Sequence, residues 1–163
     1  MYTIVCLLRN FDKTMFGRFW RVLFFIWVTA LLLGISWPWS KFDGIPHWEN
    51  IHWVPFSHVR FNLALLRNFD IMANILAFIP LGFLLTRSFP RDSARFRDTL
   101  LPALVVGGLC SLGLEFYQLF CHERVPSTTD LLTNTGGTVL GAWAAFRIEK
   151  LMSSSFIRLR RLS

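Results

Sequence analysis

The stretch Ser111-Leu-Gly-Leu-Glu115-Phe-Tyr-Gln118-Leu-Phe-Cys-His122-Glu-Arg124-Val-Pro-Ser-Thr-Thr-Asp130-Leu-Leu-Thr-Asn134-Thr-Gly-Gly137 decides how this chain is read. It closes one strongly apolar segment, turns through a short polar link and opens another. Both arms are long enough to cross a bilayer, yet Glu115, Gln118, Asp130 and Asn134 lie on them or at their mouths. A polar group facing lipid there is costly, so these side chains are expected to face protein or water. Their spacing agrees. Ser111, Glu115, Gln118 and His122 follow i, i+4, i+7, i+11, while Asp130, Asn134, Thr138 and Gly141 follow i, i+4, i+8, i+11. Each arm thus carries one polar or small stripe on an otherwise apolar helix.

Outward from this stretch, the apolar residues fall in blocks at 20–36, 71–86, 100–120 and 131–146. In a chain of 163 residues that is 53% hydrophobic and 16% aromatic, blocks of this length argue for membrane spans rather than a soluble core. The expectation is an all-α integral membrane four-helix bundle, with spans at about 20–37, 70–87, 100–120 and 130–147 in one domain over 20–147. A basic amphipathic segment precedes it at 1–19 and a basic tail follows at 148–163.

A net charge of +7 raises the question of nucleic acid, but the distribution of charge answers it. Thirteen of the 17 Lys and Arg residues flank the first span's start, link spans two and three, or follow span four. Only Lys41, Arg60, Arg67 and Arg124 fall in the other two loops. The positive-inside rule accounts for this bias and places both termini in the cytoplasm, with membrane lipids and no nucleic acid as partners. Basic residues before the first apolar run resemble a signal sequence, but Trp37-Pro38-Trp39 closes the run with no small-x-small cleavage pattern, so an uncleaved signal anchor is expected. The three cysteines, Cys6, Cys110 and Cys121, form neither a CxxC nor a zinc spacing.

The link over 38–69 mixes Trp39, Trp48, Trp53 and Phe56 with Lys41, His47, His52 and Arg60. Trp-rich amphipathic sequence belongs at the headgroup level, so this aromatic-rich loop between helices 1 and 2 is expected along the outer interface, partly helical over about 57–67. It either anchors the fold or meets an envelope partner. All four histidines fall on this outer side.

Span two opens at Asp70, carries Asn74 one turn deeper and then Pro80 and Gly82. Span four repeats the opening as Asp130-x3-Asn134 and continues into Gly137-x3-Gly141, a spacing that lets helices approach closely. Pro80, Gly82, Gly137 and Gly141 are therefore read as packing positions. Both spans start at the outer face, and span three brings Glu115 and Gln118 back to that level. Asp70, Asn74, Glu115, Gln118, Asp130 and Asn134 thus converge with Arg124.

Three readings of this cluster stay open. It can be a buried network that fixes helix register, with Asp130 capping span four. It can line an outward cavity for a polar headgroup, sugar or peptide, because three acids against one cation leave an excess of negative charge. Or Glu115 and Asp130 can serve as acid and base in a membrane-embedded hydrolase or transferase. The sequence holds no HExxH, no phosphate loop and no recognisable Ser-His-Asp context. No cofactor and no metal are assigned, although His122, Glu123 and Asp130 carry ligand chemistry. A small chain of this kind also suits an accessory subunit of a larger membrane complex.

From about Asn50 to Ala145 the chain resembles the VanZ-like membrane family. The matching residues are Asn50 with Val54-Pro55-Phe56, Asp70-x3-Asn74 leading to Phe78-Ile-Pro80-Leu-Gly82, Ser111-x3-Glu115-x2-Gln118, Arg124, and Asp130-x3-Asn134-x-Gly-Gly137-x3-Gly141. The Asn50 segment, Asn-Ile-His-Trp-Val-Pro-Phe, is longer than the family's form. The resemblance implies a bacterial envelope protein with a polar site near the outer face. The family's name-giving member lowers susceptibility to a lipoglycopeptide antibiotic, but the domain also occurs where no such role is evident. The leading expectation is a non-catalytic binder of an envelope lipid headgroup or glycopeptide-like ligand.

Overall fold

The computed structural model describes residues 2–57, 69–89 and 95–160, with side chains described over 15–57, 69–89 and 95–152. The partial helix expected over about 57–67 falls, beyond Ser57, outside the described residues. Within them the chain forms four helices, α1 (Tyr2–Ser36), α2 (Phe69–Ser88), α3 (Phe96–Gln118) and α4 (Thr128–Arg160), with short 3₁₀ turns at Trp39–Lys41 and Trp48–Asn50.

Three segments, Met15–Ser36 of α1, Phe69–Ser88 and Phe96–Gln118, are long and apolar enough to cross a membrane. Helix α4 is not among them, because Thr129, Thr133, Asn134 and Thr138 dilute its apolar content. Those four residues are all buried, whereas Leu132, Leu140 and Trp143 point outward. Polar-inside and apolar-outside is the pattern of a helix sheltered by other helices and edged by lipid. The outward faces of α1 and α3 carry Val22, Phe25, Ile26, Leu104, Val105, Leu109 and Phe116, all exposed, as lipid contact requires.

Helices α2 and α4 form the central pair, with α3 on the far flank of α4 and α1 against α2. The directions follow from which residues meet. A Cβ built on Gly82 would overlap the Thr138 carbonyl, one on Gly141 the Ile79 carbonyl, and one on Gly137 would come within 2.5 Å of the Ile75 carbonyl oxygen. Residue numbers rise together along this seam, so α2 and α4 run parallel, backbone against backbone. Helix α3 runs opposite to both: Gly107 faces the Thr138 side chain and Ser111 meets Asn134. Helix α1 is antiparallel to α2, since Trp27 meets Ala77 and Trp20 meets Phe83. The apolar centre comprises Phe24 and Leu31 of α1, Phe78 and Leu81 of α2, and Leu114 of α3.

Pro80 lies inside α2 without ending it. Proline has no N–H to give the Leu76 carbonyl. One residue on, the Ala77 carbonyl accepts a hydrogen bond from the Trp27 indole Nε1 at 3.1 Å, so α1 braces α2 at the turn the proline loosens. Hydroxyl side chains in the helices are likewise satisfied locally. Thr86 donates to the Gly82 carbonyl, Ser88 to Leu84 and Thr135 to Leu131.

This arrangement gathers the end of α1, the starts of α2 and α4, and the end of α3 at one end of the bundle. The start of α1 and the end of α4 lie at the other. At the first end the segment 37–57 lies across the α3–α4 turn. The N–H groups of Asp43, His47 and His52 donate to the carbonyls of Phe120, Leu119 and Pro126, and those of His122 and Thr128 donate back to Lys41 and His52. Two isolated bridges, Phe42 with Cys121 and His52 with Ser127, mark the same contact. Trp37, Trp39, Trp48 and Trp53 stand exposed around this cap, which is the aromatic-rich link seen in the sequence.

Candidate functional site at the loop end

Helix α4 starts on Ser127. Its hydroxyl accepts the Thr129 N–H at 3.1 Å and its carbonyl accepts the Leu131 N–H, so Ser127 is the N-cap in place of the expected Asp130. Asp130 stands three residues on, where an acid normally reaches back to the N–H of the capping residue. Here that N–H is taken from outside the helix. Ser127 N donates to Glu115 Oε2 of α3 at 2.7 Å, in a buried contact. Glu115 therefore places a carboxylate at the positive end of α4, the end that favours an anion. Asp130 lies within electrostatic reach of Glu115.

One turn from Glu115 on the same face of α3, the buried Ser111 hydroxyl accepts a hydrogen bond from Asn134 Nδ2 at 3.0 Å. The other amide atom, Asn134 Oδ1, is buried with no hydrogen-bond partner among the described residues. Immediately below, Thr138 returns its hydroxyl to the Asn134 carbonyl and fills the space over Gly107. Glu115, Ser111, Ser127 and Asn134 thus form one polar knot where α3 meets the head of α4, resting on the glycine seam.

The other residues of the sequence cluster are placed differently. Arg124 turns from the carboxylates to the end of α1, donating from Nη2 to the Trp37 carbonyl at 2.9 Å and the Ile35 carbonyl at 3.4 Å. The last carbonyls of a helix lack intrahelical partners, and a cation there also suits the helix dipole. Asp70 is exposed at the start of α2, while Asn74 and Gln118 are half-buried on α2 and α3. Sequence reasoning missed the role of Ser127, although Ser127-Thr-Thr-Asp130 carries the capping-box pattern.

In the cap, Asp43 accepts the Ile45 N–H at Oδ1 and meets His47 Nε2 at Oδ2. The backbone bond and the His47 contact hold the Asp43 carboxyl below its usual range, and the Asp43 hydrogen bond raises the His47 imidazole above its own. Lys41 and Glu123, on the two sides of the contact, pair at 3.2 Å.

A bundle of lipid-edged helices with a polar knot at one end defines a polytopic helical membrane protein. The sequence model of the VanZ/LLP1 family matches residues 19–150, most of the chain, and the protein belongs to that family. No curated protein and no solved structure matches it.

Proposed function

We propose that this VanZ/LLP1-family protein is a non-catalytic binder of an envelope lipid headgroup or glycopeptide-like ligand, held at the loop end of the bundle through groups that donate hydrogen bonds. The observation that carries this reading is Asn134 Oδ1, a buried acceptor with no partner among the described residues, on the side chain that bonds Ser111 one turn along α3 from the buried Glu115. A buried orphan acceptor costs about 1–3 kcal/mol and calls for an N–H or O–H donor. Glu115 is engaged with the Ser127 N–H, which counts against its use as a free acid or base and favours binding over hydrolysis.

The loop end would face away from the cytoplasm. Arg18, Arg21, Arg87, Arg97, Arg147 and Lys150 belong to the opposite half of the bundle, where Arg87 stacks over Phe16 and Trp20, whereas Lys41 and Arg124 are the described cations of the loop end. That asymmetry supports cytoplasmic termini in a bacterial inner membrane.

The test uses two headgroups that differ in donors. Phosphatidylethanolamine carries an N–H-bearing ammonium, and phosphatidylcholine carries none. The full chain, purified in mild detergent and offered equal amounts of each, is expected to retain the first about tenfold better, the value of one charge-assisted hydrogen bond. Asn134→Ala and Glu115→Gln should lose that preference while still folding, as followed by melting temperature. Equal retention of both lipids by the natural chain would overturn the reading. An accessory-subunit role is favoured by the exposed Trp37, Trp39, Trp48 and Trp53, and it predicts a second polypeptide against this crown after gentle extraction.

A further inference from the structure

We infer that Asp43, His47 and His122 form a divalent transition-metal site of the zinc class, which pins segment 37–57 to the α3–α4 turn. One donor atom from each of the three lies within 4.8 Å of the other two. Zinc takes imidazole and carboxylate donors at about 2 Å, which in a tetrahedron sets them about 3.3 Å apart. Asp43 and His122 are exposed and His47 is half-buried, so these side chains have room to rotate toward that spacing.

The backbone beneath these side chains is already held in place. Asp43 N donates to the Phe120 carbonyl at 3.1 Å, His47 N to the Leu119 carbonyl at 2.9 Å, and His122 N to the Lys41 carbonyl at 2.6 Å. Each residue that would ligate the ion therefore bonds across to the other side of the contact, within three positions of a partner ligand.

The groups behind the ligands are oriented as a metal site needs. Asp43 Oδ1 is occupied by the Ile45 N–H, leaving Oδ2 facing His47 Nε2 at 2.8 Å. On the far side of the His47 ring, Glu49 Oε1 lies 3.6 Å from Nδ1, longer than a hydrogen bond but close enough for a side-chain rotation to set this carboxylate behind a ligating imidazole. The His122 ring stands 6.3 Å from that of His47, centroid to centroid. A metal ion takes an imidazole nitrogen only in its unprotonated form, so protons compete with it for His47 and His122. Two histidines and one carboxylate leave a coordination position open to water, and the exposed location gives the ion a path in.

The inference is independent of the ligand proposed for the polar knot, since none of its residues belongs to that knot. Its test is titration of the purified, metal-stripped full chain with Zn²⁺ alone near neutral pH, by calorimetry and by melting temperature. We expect uptake of a single ion, a rise in melting temperature with zinc, and weaker uptake as the pH is lowered, because protons compete for the imidazoles. His47→Ala and His122→Ala should each weaken binding more than tenfold and abolish the zinc-dependent rise. Glu49→Gln should weaken it about tenfold through the loss of ring orientation. His52→Ala, outside the cluster, should bind as the natural chain does. Melting temperatures without zinc identify any variant that has lost its fold, and Asp43→Asn supplies a near-isosteric check. Wild-type affinity in a folded His122→Ala chain, or no saturable uptake by the natural chain, would overturn the site.

Discussion

The seam between α2 and α4 and the cap over the α3–α4 turn hold the same protein together by opposite means. Along the seam, backbone lies on backbone, glycines face carbonyls, and there is no side chain to yield. In the cap, a loop is tied to a turn by backbone hydrogen bonds in a setting where most of its side chains are exposed. A membrane supplies no hydrophobic drive between helices, so the seam must gain its stability from close contact. The cap lies where water competes, so it gains from bonds that fix geometry more than from their strength. The polar knot sits between them and borrows from each: Asn134 and Thr138 rest on the seam, and Ser127 belongs to the turn.

The largest effect that would sharpen this contrast is expected at the seam. Gly82→Ala or Gly141→Ala puts a methyl group into a carbonyl of the facing helix, and the pair must separate to admit it. Overpacking of this kind costs about 3 kcal/mol or more where backbone has to move, so these variants should accumulate poorly and melt well below the natural chain. Normal melting would show that the seam is looser than described. Next comes the knot. Glu115→Ala leaves the buried Ser127 N–H without its acceptor and should cost about 1–3 kcal/mol, whereas Glu115→Gln keeps an oxygen there and should cost less. Equal losses would mean that charge at the head of α4 outweighs the hydrogen bond. The smallest effect has the opposite sign. Gly113 and Gly136 have open space where a Cβ would go, and both lie within helices, so alanine at either should stabilise by about 0.5–1 kcal/mol.

The two regions also differed in how far the sequence revealed them. The apolar blocks mark the helices, the alternating topology has spans two and four running the same way, and the glycines of span four mark a close approach, because these signals lie along single elements. Helix α4 shows the limit of apolarity as a guide. Its threonines and Asn134 lower its hydropathy and are the residues its neighbours bury. The knot was legible in part: Ser111, Glu115 and Asn134 share stripes that a helical period exposes. That Glu115 reaches across to cap another helix, and that Arg124 reaches back to Ile35 and Trp37, depends on the path of the turn, which no local pattern encodes. The same holds for His122 beside Asp43 and His47. His122 lies far from both in sequence and meets them only because strand-like bonds join the loop to the turn.

Those bonds also set an order of events during synthesis. Segment 37–57 docks on residues 119–128, which leave the ribosome only after α2 and α3 have been made. Until then the N–H groups of Asp43, His47 and His52 lack the carbonyls they meet in the finished fold. Tryptophan favours the headgroup layer of a bilayer, so its four exposed indoles are suited to moor the nascent segment there until the turn that receives it has been made.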